Sequence, residues 1–144
     1  MPDFTLTIGG HNVAGAARPI PIVDPSTGQA FTDSPAATVA QLDQAVDAAA
    51  QAFATWQHSS HAERSAALER VAVAIEQHAA ELADLVVREQ GKPLALAQME
   101  VGGAVAWTRA AAALEIPGEG IGQREGKRIE LRRKPLGVVG SITP

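Results

Sequence analysis

The chain has 144 residues, the size of one modest domain, with 46% apolar residues and a formal net charge of −4. It contains no cysteine, which excludes disulfides, thiolate metal sites and a cysteine nucleophile within these residues. The N-terminus has no basic region followed by an apolar stretch, and no apolar run approaches the roughly 20 residues of a membrane helix, so a cytoplasmic location is expected.

The apolar content is uneven in kind. Much of it is alanine, with three Phe, two Trp and no Tyr. Alanine favours helix but buries little area. Such a chain forms helices readily and has difficulty building a large core from its own side chains.

In chain order, Phe4, Leu6 and Ile8 alternate with Thr5 and Thr7 before Gly9-Gly10, which predicts a short strand and a turn, as in a hairpin. Pro19 and Pro21 mark the following stretch as an edge or extended segment. It leads into Asp24-Pro25-Ser26-Thr27-Gly28, where Pro25 fixes φ, Asp24 can accept from backbone amides and Gly28 tolerates positive φ.

Three helices are expected. Thr38 and Gln41 have the spacing of a capping box at the start of a helix over 39–57. Its apolar residues Val39, Leu42, Val46, Ala49, Phe53 and Trp56 recur every three or four positions, so one face should be buried. Ser60 and Glu63 repeat the signal for a helix over 61–90, with the stripe Leu68, Val71, Ile75, Leu82 and Leu85 and with Gly91 at its C-terminal cap. The third helix, 94–115, begins after Pro93 and carries Met99, Val101, Val105 and Trp107. Gly102-Gly103 within it costs about 2 kcal/mol relative to alanine. Either a second backbone passes close by, or the pair is simply tolerated.

Residues 118–127 are rich in glycine and polar side chains and read as a loop. A strand with alternating charge follows over 127–134. The stretch from Pro135 to Pro144 is a short apolar run flanked by glycines, as in a strand buried on both faces.

Residues 124–134 carry six basic and two acidic side chains, whereas the first 123 carry six basic and fourteen acidic. A basic tail can mark nucleic-acid binding, but it has no aromatic residue to stack on bases, so no nucleic-acid partner is expected. His58 and His61 could share a helix face, yet no third ligand accompanies them and no metal site is expected. The spacing of Gly137 and Gly140 does not make a dinucleotide fingerprint. No complete active site is legible, and no catalytic residue is assigned.

Three stretches in order resemble the N-terminal part of the aldehyde dehydrogenase superfamily. Ile22-Val23-Asp24-Pro25-Ser26-Thr27-Gly28 is similar to that family's V-N-P-x-T-G turn, with Asp24 in place of Asn. Glu89-Gln90-Gly91-Lys92-Pro93, followed by Glu100-Val101, is similar to its E-x-G-K-P and E-V junction. Arg133 to Pro144 resembles its R-x-P-x-G-V-V-x-x-I-x-P run, which the family continues with Trp-Asn.

The resemblance implies an α/β fold: the N-terminal portion of a Rossmann-like cofactor-binding domain over 1–144, α-rich in this segment. It implies that 127–134 belongs to an oligomerisation sheet, and hence a homo-oligomer. It also implies that Val138 to Thr143 forms the first strand of the nucleotide-binding sheet, with Ile142, Thr143 and Pro144 beside an NAD or NADP cofactor. The parent reaction would oxidise an aldehyde through a Cys thioester, and the family's oxyanion Asn, ribose-binding Lys, general-base Glu and nucleophilic Cys would lie beyond Pro144, as in a truncated chain. Some members hold a monovalent cation near the positions of Val23 and Glu100, a place a structural helix carboxylate would also explain. The competing reading from the residues is a free-standing, non-catalytic α-rich module that binds a partner through its strands and helices.

Overall fold

The computed structural model describes residues 4–116 and 119–143. Among these residues three antiparallel hairpins flank four helices. In the first, β1 (Leu6–Ile8) pairs with β2 (His11–Val13), with Leu6 opposite Val13. Gly9 and Gly10 have φ of 60° and 82°, the two positive values that a tight two-residue hairpin turn requires. The second hairpin joins β3 (Ile20–Asp24) to β4 (Gln29–Ser34), with a register shift between Ile22 and Val23. Pro21 is accommodated because each strand of a two-stranded sheet is an edge.

The helices are α1 (Val39–Trp56), α2 (His61–Gln77), α3 (Ala79–Gln90) and α4 (Leu94–Ala113). Both expected capping boxes are present. Thr38 Oγ1 accepts from Gln41 N and Ser60 Oγ accepts from Glu63 N, while the Gln41 and Glu63 side chains reach back to the cap amides. Glu63 is held below the usual carboxylate range by its bonds from the Ser60 backbone and hydroxyl.

The helix expected over 61–90 is two helices. At His78, φ is −102° and ψ is 14°, a single residue outside helical geometry. His78 N still donates to Ala74 O, and Leu82 N to His78 O. The apolar spacing therefore runs on across the bend, and periodicity could not reveal it. The bend lets both segments pack on α4.

The core lies along α4. Ala97, Val101, Val105 and Ala112 are buried, with Ala72 of α2 and Ala83 of α3 facing the same bundle. Ile75, Leu82, Val86 and Val87 pack around the Ala83–Ala97–Val101 centre. Among the described residues no large side chain is fully buried. The expected stripe on α4 mixed two faces: Val101 and Val105 are inside, but Met99 and Trp107 are 67% and 79% exposed. The helix is apolar nearly all round, so composition could not choose the face. Beside Gly102 and Gly103 an added Cβ would meet nothing within 4 Å. No second backbone among the described residues explains them.

The apolar face of α1 is likewise not buried as expected. Val39, Leu42, Val46 and Trp56 are exposed. The helix packs on β1, where an added Cβ at Gly9 would lie 3.6 Å from Ala48 Cβ. Periodicity identifies a face that wants cover; it cannot say that the same 144 residues supply it.

Arg109 on α4 ties that helix to α2. Its Nε donates to Glu69 Oε1 at 3.1 Å, and its Nη2 to Glu76 Oε2 at 2.8 Å. Glu69 and Glu76 are two helical turns apart and so share a face. The bonds from Arg109 and its charge hold the Glu76 carboxyl below its ordinary range. The Glu76 and Glu69 bonds in turn hold the guanidinium more firmly protonated than usual. Because the folded-state pKa of Glu76 is lowered, its contribution is present above the ordinary carboxylate value and is lost as pH falls through the lowered one. Arg109→Gln is expected to lower the thermal midpoint by at most about 3 °C at pH 7, since all three groups are exposed. The difference should close as pH falls through the lowered Glu76 value. Circular dichroism melts across pH check this; a gap that stays constant into acid would disprove the ion-pair origin.

Candidate functional site

The 118–127 stretch read as a loop instead contains β5 (Glu119–Arg124), paired antiparallel with β6 (Lys127–Leu131). The turn is Glu125-Gly126, with φ of 49° and 76°. Two positive φ values in a two-residue loop make a tight hairpin turn. An acidic residue followed by glycine between two extended runs was the signal available, and it was obscured by the glycines of β5 itself. The register shifts between Gly120 and Gly122. The strand expected over 127–134 ends at Leu131, where Glu130 holds Arg132 through bonds of 2.9 and 2.6 Å.

The apolar run after Pro135 does not form the expected strand. Residues 136–143 have no ladder partner among the described residues, and Leu136, Val139 and Ile142 are exposed. A strand is defined by its neighbours, and each of the three sheets here is a separate antiparallel pair. Ile142 and Thr143 are exposed, and Pro144 lies outside the described residues. Of these, only Thr143 offers a side-chain hydroxyl for hydrogen bonding. That equipment fits the margin of a dinucleotide site and not a cradle for its pyrophosphate, which needs clustered backbone amides or cations.

Elsewhere the fold brings two of the sequence motifs into one junction. In the first, Asp24 Oδ1 accepts from Ser26 N at 2.8 Å and from Ser26 Oγ at 2.6 Å. Those two bonds, hydroxyl first, depress the Asp24 carboxyl below its usual range. Gly28 N closes the turn on Asp24 O at 2.8 Å. In the second motif, Gly91 ends α3 with φ of 66°, in the left-handed region that favours glycine. An added Cβ there would lie 2.9 Å from Pro25 Cγ. Pro25 of one motif thus packs on Gly91 of the other. Nearby, the Arg88 guanidinium stacks 4.1 Å from the centre of the Phe31 ring. Lys92 forms an ion pair with Glu100 of α4. Sequence reading found both motifs but had no signal for their contact.

An open groove of about 840 Å³ lies between the C-terminal half of α1, the first turns of α2 and the end of α4. Phe53, Trp56, Leu68 and Leu114 line it, with Arg133, Lys134 and Pro135 at one side. His61 Nε2 stands 3.9 Å from Glu115 Oε1 at its edge. No group of three or more His, Cys, Asp or Glu among the described residues is placed to share a metal ion.

The aldehyde dehydrogenase family model matches residues 12–144, a span that includes all three motifs. The chain belongs to the aldehyde dehydrogenase family. It is 40% identical over 142 residues to a probable aldehyde dehydrogenase of a Pseudomonas species, covering 98% of this chain and 29% of that protein. It is 36% identical over 138 residues to the 3,6-anhydro-alpha-L-galactose dehydrogenase of Streptomyces coelicolor, covering 94% and 28%. Among solved structures, the NAD-dependent benzaldehyde dehydrogenase of Corynebacterium glutamicum superposes with a TM-score of 0.78 at 28% identity, covering 89% of this chain and 29% of that one. The fold is therefore that of an N-terminal portion of an aldehyde dehydrogenase. The chain spans about 29% of the length of these family members.

No helix among the described residues is long and apolar enough to cross a membrane.

Proposed function

We propose that these residues are the scaffold of a Rossmann-like cofactor-binding domain in an NAD(P)-dependent aldehyde dehydrogenase that oxidises an aldehyde to a carboxylic acid. The observation that carries this reading is the family match across residues 12–144 in a chain without cysteine. A thiolate nucleophile is what covalent aldehyde oxidation through a thioester requires, and these residues cannot supply it. Their role is placement. In this reading the helices carry the segment from Pro135 onward into the rest of the cofactor domain, and Ile142, Thr143 and Pro144 form one margin of the dinucleotide site. When bound, the nicotinamide serves as hydride acceptor. The β5–β6 hairpin, continuing to Lys134, pairs with another subunit in a homo-oligomer in this reading. Its support is that β5 and β6 form a two-stranded sheet, in which each strand is an edge.

The purified 144-residue chain, assayed with NAD or NADP against benzaldehyde and short aliphatic aldehydes, is expected to give no reduced cofactor above background. Turnover by this cysteine-free polypeptide would overturn the assignment of roles.

A further inference from the structure

We draw no further inference here: the strongest candidate, the open apolar groove between the C-terminal half of α1, the first turns of α2 and the end of α4, carries nothing because nothing in the structure shows what covers it.

Discussion

In solution at micromolar concentration, the 144-residue chain is expected to elute as oligomers or aggregates and not as a single monomer. A compact protein of 14.9 kDa should expose about 7,000 Å² by the scaling of folded monomers. This chain exposes 11,145 Å². Exposed apolar side chains sit in identifiable places: the stripe of α1 with Val39, Leu42 and Val46, Met99 and Trp107 on α4, and Leu136, Val138, Val139 and Ile142. Contiguous apolar faces of this kind drive association, and the unpaired edges of three hairpins are further templates for it. Against this stands a core whose buried apolar members among the described residues are four alanines and two valines, which offer little apolar area to stabilise a lone monomer. Size-exclusion chromatography with light scattering measures the outcome. A sharp monomer peak with cooperative unfolding near 60 °C, as for an intact small domain, would contradict it and favour a free-standing module.

Gln41→Ala is expected to destabilise the N-terminal region by about 2 kcal/mol. Gln41 is the one buried polar side chain among the described residues, 8% exposed, and both ends of its amide are bonded. Oε1 accepts from Ala16 N at 2.9 Å and from Thr38 N at 3.2 Å, while Nε2 donates to Ala14 O at 2.8 Å. One side chain thus closes the capping box and straps residues 14–16 to the start of α1. Ala17 N adds a bond to Ala36 O at 3.1 Å. The approach is close enough that a Cβ at Gly15 would lie 2.6 Å from Ala36 O, so only glycine fits there without a shift of backbone. Truncating Gln41 leaves two amides and a carbonyl without their partner. Gln41→Glu separates the contributions. The carboxylate can keep both acceptor roles but sets an oxygen against Ala14 O, where only a protonated carboxyl can donate. Its folded-state pKa should therefore be raised, and its stability should be greatest below the ordinary carboxylate value and fall as pH rises. Urea unfolding followed by circular dichroism at pH 4 and pH 7, with amide exchange at Ala16, reads both effects. Equal stability of Gln41→Ala and the parent chain would show that the strap contributes nothing.

The local signals in this sequence were the legible ones. Thr38 with Gln41 and Ser60 with Glu63 announced two helix starts because a cap is a contact within four residues. The turns at Gly9-Gly10 and at Asp24 to Gly28, and the stop at Gly91, rest on similarly short-range geometry. Gln41's second task was invisible: its bonds to Ala14 and Ala16 span 27 and 25 residues. The bend at His78 left no mark because the apolar period continues through it. Hairpin β5–β6 was hidden by glycines that imitate a loop. Predicted burial failed on α1, at Met99 and Trp107, and after Pro135 for a shared reason. Periodicity reports which face is apolar, whereas burial depends on what is packed against it. Family resemblance supplied what the residues could not, since the three motifs have meaning only in combination. Two of them meet at Pro25 and Gly91.

In the proposed reading these residues support a cofactor site without constituting one. Calorimetric titration of the 144-residue chain with NAD, and separately with NADP, tests it most directly. Ile142 and Thr143 are exposed and outside any ladder, and a pyrophosphate site needs the helix N-terminus that follows such a strand as well as the strand itself. No saturable binding is expected below millimolar concentration. A saturable isotherm with micromolar affinity for either cofactor would contradict it and place a complete site within these 144 residues.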